Sequence, residues 1–259
     1  MKIAIIGAGN MGGATALGLA AALPQAAITV TAKHAATLEK FAARGIQTSL
    51  DNVAAAREAE VVVLGVKPWL AESVLAELKP VLSGKVLVSF AAGIPSTQLL
   101  GWLDGYGVAG AYTVIPNLAI EVGQSMTFIQ ELCGNAETLS TVRSLFDAVG
   151  RTAVVDEKRL NAGMMLASCG TAFALRYVRA SAEGGVELGL YPQEALDAVL
   201  QTVSGAAALL QAHGTHPEAE IDRVTTPGGI TIKGLNAMEE AGFSAAVVAG
   251  LKAWKPKSS

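Results

Sequence analysis

The chain has 259 residues, half of them apolar and only 5% aromatic, with 28 glycines, a composition of close-packed helices and strands rather than of disorder. A formal net charge of −3 argues against nucleic acid or an anionic membrane as the main partner. The two cysteines, Cys133 and Cys169, form neither C-x-x-C nor a disulfide framework, so a reduced cytoplasm is the expected compartment.

Residues 2–6, K-I-A-I-I, read as a buried strand, and Gly7, Gly9 and Gly12 then form G-x-G-x-x-G ahead of an alanine-rich helix at 13–23. An apolar start broken at once by glycines does not read as a signal peptide, so none is expected. In such a strand–turn–helix unit the first glycine permits the tight turn and the second lets a pyrophosphate approach the backbone. The third lets helix and strand pack closely, and the helix start favours an anion. A strand at 28–31, a helix at 35–43, a short strand at 46–48, a helix at 53–58 and a strand at 60–64 come next. Pro68 opens a helix that runs to about 78. A strand at 85–90, a helix at 95–103, strands at 108–114 and 125–129, a helix at 136–149 and a strand at 152–155 complete the series. This alternation predicts parallel pairing with right-handed crossovers, a Rossmann-type doubly wound α/β sheet with its ligands beyond the carboxyl ends of the strands.

The pattern changes at Asp156, after which no strand is evident. A helical stretch at 157–183 with Gly184–Gly185 as an interruption, a break at 188–191, a helix at 192–213, a loop at 214–217, helices at 230–241 and 244–254 and a tail at 255–259 follow. The expected division is a dinucleotide-binding domain, 1–156, and an all-α domain, 157–259. So apolar a helical unit implies burial against a second copy, in a homodimer or higher homo-oligomer. The uncharged run 160–175 is shorter than the ~20 residues that span a bilayer, so no membrane segment is expected. His213 and His216 have an H-x-x-H look, but Gly214 breaks the helix between them and no carboxylate or cysteine completes a set, so no metal site is expected. Cys169, among small residues on an apolar helix, reads as packing.

NAD-binding folds place an acid about 20 residues after the glycines, on the ribose 2′-hydroxyl. Here that region, T-V-T-A-K-H from Thr29 to His34, has no carboxylate before Glu39. An acid would repel the 2′-phosphate of NADP, whereas Lys33, His34 and the Thr31 hydroxyl can accept it, so NADPH is the expected cofactor and NADH the weaker alternative. Lys33 is equally readable as a solvated loop lysine.

With these residues in view, the chain resembles the pyrroline-5-carboxylate reductases, which reduce a cyclic imine to proline with NADPH. The matching blocks span nearly the full length: I-I-G-A-G-N-M-G with Asn10 and Met11, L-G-V-K-P from Leu64 to Pro68, S-F-A-A-G-I from Ser89 to Ile94, Pro116-Asn117, and T-P-G-G-I-T-I-K-G-L from Thr226 to Leu235. The departures are equally specific. Thr113 stands where that family has arginine, Leu118-Ala119 where it has Thr-Pro, and A-S-C-G-T-A-F (Ala167 to Phe173) where it has S-G-S-G-P-A-Y.

The resemblance implies roles for particular residues. Gly7, Gly9, Asn10, Met11 and Gly12 would hold the cofactor with Thr31 and Lys33. Val66, Lys67 and Pro68 would shape the loop over the nicotinamide, and Ala91 and Ala92 would leave room beside it. Asn117 is a polar contact to cofactor or substrate, or an ordinary turn residue. The N–H groups of Gly228 and Gly229 and the Thr226 hydroxyl would bind the substrate carboxylate. Thr231 would face the ring nitrogen as the catalytic contact, or merely cap its helix. The implied activity is NADPH-dependent reduction of 1-pyrroline-5-carboxylate to L-proline, with the C-terminal helices of two chains interlocked. The alternatives are reduction of another cyclic imino acid, or a catalytically weak NADP-binding paralogue with a regulatory or interaction role.

Overall fold

A computed structural model describes residues 1–253; Trp254 of the expected final helix and the tail 255–259 lie outside the described residues. By its internal contacts the chain divides into two compact units, Met1–Ser168 and Cys169 onward.

The first unit holds eight strands: β1 (Lys2–Ile6), β2 (Ala27–Thr31), β3 (Gln47–Ser49), β4 (Val61–Leu64), β5 (Val86–Ser89), β6 (Gly110–Ile115), β7 (Ser125–Cys133) and β8 (Gly150–Val154). They form one sheet in the order β3-β2-β1-β4-β5-β6-β7-β8. Six helices connect them, α1 (Asn10–Ala22), α2 (Ala35–Ala42), α3 (Asn52–Glu58), α4 (Ala71–Leu78), α5 (Ser96–Trp102) and α6 (Ala136–Asp147), and α7 (Glu157–Gly163) follows the last strand. The central strands are apolar runs buried on both faces, V-V-V-L in β4 and G-A-Y-T-V-I in β6, as a helix-covered parallel sheet requires. Alternate residues feed two cores. Ile3, Ile5, Val63, Val88 and Tyr112 pack with Phe41 and Phe146 on one face, and Ala4, Ile6, Val62, Leu64 and Leu87 with Leu75 and Leu78 on the other.

Pairing departs from the all-parallel expectation at one place. β6 and β7 run antiparallel, Thr113 opposite Gln130, while β7 and β8 are parallel again. The connection 116–124 contains only a 3₁₀ turn, Leu118–Val122, which is too short for the crossover that a parallel partner needs.

In the second unit, α8 (Gly170–Glu187), α9 (Pro192–His213), α10 (Pro217–Val224), α11 (Ile230–Glu240) and α12 (Phe243–Lys252) are all helical. Three sequence expectations are corrected here. The helical stretch from 157 is interrupted at a π-turn, Met164–Cys169, and not at Gly184–Gly185, which lie inside α8. Gly185 serves close packing instead: a Cβ there would come 2.9 Å from the Ala195 Cβ of α9. The segment 217–224, for which the sequence predicts no helix, is α10, with Pro217 in its first turn and Glu218 and Glu220 at its positive end. The apolar stretch relevant to a bilayer is not 160–175 but α9, whose 22 residues make it long and apolar enough by length and composition to cross one. The core helix of a soluble protein passes the same test, and α9 carries Glu194 and Asp197 in its first two turns.

Val178 and Ala195 are the only buried residues among 169–253. Phe173, Leu175, Tyr177, Phe243, Val247 and Val248 are all more than a third exposed in the single chain. Phe173, Tyr177, Phe243 and Val247 also line an apolar groove of about 680 Å³.

Candidate functional site

The glycine turn is built as its spacing requires. Gly7 has φ +105°, and its N–H donates to Thr31 Oγ1 over 3.2 Å. A Cβ at Gly12 would collide with the Gly7 carbonyl oxygen, so no side chain fits where α1 crosses β1. Gly9 faces open space, with nothing within 4 Å of where a Cβ would stand. It is also the N-cap of α1, and no side chain caps that helix. The first-turn N–H groups of Asn10, Met11 and Gly12 therefore have no intrahelical acceptor, at the positive end of a 13-residue helix. An open cradle, free donors and a helix dipole fit the pyrophosphate of a dinucleotide. Sequence reasoning missed a fourth glycine of this knot: a Cβ at Gly65 would lie 3.1 Å from the Gly7 oxygen and 3.2 Å from Gly12 Cα.

The end of β2 corrects one assignment. Thr31 is fully buried, and its hydroxyl accepts from Gly7 N–H while donating to Asn52 Oδ1 over 2.6 Å. Asn52 in turn donates from Nδ2 to Glu77 of α4 over 3.3 Å. Thr31 thus latches the glycine turn to α3 and α4, and its hydroxyl has no capacity left for a phosphate. Lys33 and His34 are both exposed, just past the strand end.

Further along the carboxyl edge, Val66 Cγ1 would lie 3.0 Å from a Cβ at Gly7, so the β4 loop packs on the glycine turn. Lys67 is exposed, and Pro68 opens the 3₁₀ turn Pro68–Leu70 ahead of α4. After β5, Ser89 Oγ accepts the Ala91 N–H over 3.3 Å; Ala91 is buried and Ala92 half-buried. Asn117 has a structural job. Its Oδ1 accepts from Ala119 N–H, its Nδ2 donates to the Ala167 carbonyl in the π-turn, and its own N–H donates to Ser125 Oγ. The departure at Thr113 becomes intelligible here. Ser89, Thr113 and Gln130 are cross-strand neighbours, 0%, 4% and 9% exposed, forming a buried polar row without a charge.

In the second unit the segment from Thr226 is a tight turn. Gly229 N–H donates to the Thr226 carbonyl over 2.9 Å, across Pro227 and Gly228 at φ +71°, the residue order and backbone of a type II turn. A Cβ at Gly229 would strike the Thr226 hydroxyl. Because the Gly229 donor is engaged, the N–H groups open to an anion are those of Gly228 and the first turn of α11. The capping reading of Thr231 does not hold: the N-cap is Gly229, and Thr231 is an exposed residue one position inside the helix. Before this turn, Glu220 does approach His213, contrary to the sequence reading. Its Oε1 accepts from Thr215 and lies 3.0 Å from His213 Nδ1, while Oε2 accepts from Arg223 over 2.6 Å. These bonds, those of Thr215 and His213 foremost, lower the Glu220 carboxyl to about 2. Arginine on the same carboxylate makes this an ion-pair knot. Among the described residues no group of three or more His, Cys, Asp and Glu could hold a metal.

Sequence comparison adds the decisive observation. The chain is 33% identical, over 100% of its length and 92% of the relative's, to pyrroline-5-carboxylate reductase 2 of Dictyostelium discoideum. The chain belongs to the pyrroline-5-carboxylate reductase family. Pyrroline-5-carboxylate reductase of Methanosarcina acetivorans is 36% identical over 95% of this chain and 92% of its own. Residues 157–259 match the family described as pyrroline-5-carboxylate reductase dimerisation, and residues 2–93 match the one described as NADP oxidoreductase coenzyme F420-dependent. Among solved structures, the Plasmodium falciparum pyrroline carboxylate reductase with NADP bound superposes with a TM-score of 0.88 at 26% identity, covering 98% of this chain and 96% of that one.

Proposed function

We propose that the chain reduces 1-pyrroline-5-carboxylate to L-proline with NADPH, as a cytoplasmic homodimer or higher homo-oligomer. The uncapped amino end of α1, held open by Gly9, carries the cofactor half of this reading, and family membership carries the reaction. In the division of labour, residues 1–156 bind the cofactor and residues 157–259 dimerise and hold the substrate. When bound, NADPH supplies the hydride; everything else falls to the chain. Gly9, Asn10, Met11 and Gly12 neutralise the pyrophosphate, and Lys33 with His34 meets the 2′-phosphate. Gly7 and Thr31 keep the turn in shape, and Val66, Lys67 and Pro68 wall the cofactor on the β4 side. Ala91 and Ala92 leave the nicotinamide room, while Asn117 fixes the 116–124 loop rather than touching a ligand.

On the substrate side, the Gly228 N–H, the first-turn donors of α11 and the Thr226 hydroxyl hold the imino-acid carboxylate. Gly229 shapes that pocket by having no side chain. Thr231 orients the ring nitrogen so that hydride reaches the adjacent carbon. A threonine hydroxyl is a poor proton source, so the imine arrives protonated or takes its proton from water. Orientation at a reacting distance of about 3–3.5 Å then supplies most of the acceleration.

The nearly coreless helical unit supports the oligomer: with only Val178 and Ala195 buried, its apolar side chains need a second copy. The test is NADPH oxidation on pyrroline-5-carboxylate and on its six-membered analogue. Preference for the five-membered ring is expected; the reverse preference would assign a different imino acid.

A further inference from the structure

One large aromatic on the carboxyl edge takes no part in any core. Trp69 is 76% exposed, in the middle of the Pro68–Leu70 turn that opens α4. Pro68 sets the chain direction before it, and the Lys67 ammonium lies 6.0 Å from its ring centroid. Its place along the edge follows from the latch already described. Glu77, further down α4, meets Asn52, and Asn52 holds Thr31 at the end of β2. Trp69 lies about two helical turns before Glu77, toward the open amino end of that helix. It therefore sits just past the carboxyl end of β4, at the same edge of the sheet where Lys33 and His34 stand exposed past β2. With pyrophosphate on α1, a loop that leaves β4 toward α4 can reach the adenosine half of the crevice, so on this reading the 66–69 loop extends past the nicotinamide to the adenine.

We propose that Trp69 is an affinity-determining residue that stacks on the adenine ring, working alongside the 2′-phosphate contact of Lys33. This rests on the cofactor reading above. An indole offers a flat apolar face at little conformational cost, and base–aromatic stacking is indifferent to a distant phosphate. Trp69 and Lys33 should accordingly differ in signature: Trp69 acts on NADPH and NADH alike, Lys33 on NADPH alone.

The experiment is equilibrium titration of the full chain with NADPH, NADH and adenosine 2′,5′-bisphosphate, which has the adenine but no nicotinamide. Trp69→Ala should weaken all three by about tenfold, while Trp69→Phe stays within about threefold of the parent. Energy transfer from tryptophan to bound NADPH should fall in Trp69→Phe, because Trp102 and Trp254 remain as the only donors. Unchanged affinity in Trp69→Ala would overturn the proposal. So would weakened NADPH with unaltered bisphosphate, which would put the ring at the nicotinamide end. A parent protein that binds none of the three would overturn the cofactor reading itself.

Discussion

Gly9 and Gly12 sit three residues apart in one motif, yet the structure gives them opposite liabilities. A Cβ at Gly9 meets nothing, whereas one at Gly12 runs into the Gly7 carbonyl. Gly9→Ala should therefore fold with an unchanged melting temperature and lose NADPH affinity. Gly12→Ala should lose about 1–3 kcal/mol of stability as the turn shifts. Calorimetry and a binding titration on both variants check the pair; equal melting temperatures would show that the crossing of α1 and β1 is looser than described. A second contrast follows from burial. Thr31→Val removes the acceptor for Gly7 N–H and the donor to Asn52, costing about 1–3 kcal/mol with no change in NADPH over NADH preference. Lys33→Ala should reduce that preference about tenfold and leave stability unaltered. The glycine spacing was legible in the sequence because each glycine answers a local steric demand. The role of Thr31 was not, since a hydroxyl at a strand end looks the same whether it faces a phosphate or a buried amide.

At the level of elements, most strands and helices were legible because buried parallel strands are short apolar runs and helices carry proline or alanine cues. The direction of β7 was not, because pairing sense depends on the length and content of the 116–124 connection rather than on the strand itself. Gly184–Gly185 misled for a related reason: a helical glycine can mark a break or a close approach, and only the position of Ala195 decides. The joint between α9 and α10 carries a pH prediction. Hydrogen bonds from Thr215 and His213, then the charge of Arg223, hold the Glu220 carboxyl at about 2, below its ordinary 4.5. A folded-state value lowered in this way stabilises the joint above about pH 4.5, and that stabilisation is lost as pH falls through about 2. Amide protection factors along 213–224, with the intrinsic exchange rate at each pH divided out, should fall on acidification through that range. Glu220→Gln should exchange faster at neutral pH and show less further change in acid. An unaltered exchange rate in the variant would mean that the knot contributes nothing.

The whole molecule joins a sheet with two complete cores to a helical unit with almost none. That asymmetry was legible in outline from the apolar composition after Asp156, and the departures at Thr113 and Ala167–Phe173 leave it intact. Ala172, exposed on α8, should lie in the shared surface. Ala172→Asp should then sediment as a smaller species and lose activity together with assembly, while a fully assembled, active variant would remove α8 from the interface. The central claim is the reaction itself. The most direct measurement is the initial rate of NADPH absorbance loss with pyrroline-5-carboxylate, repeated with NADH. Rapid enzyme-dependent oxidation, faster with NADPH and accompanied by stoichiometric proline, is the predicted result. Tight NADPH binding with no oxidation above the uncatalysed rate would contradict it.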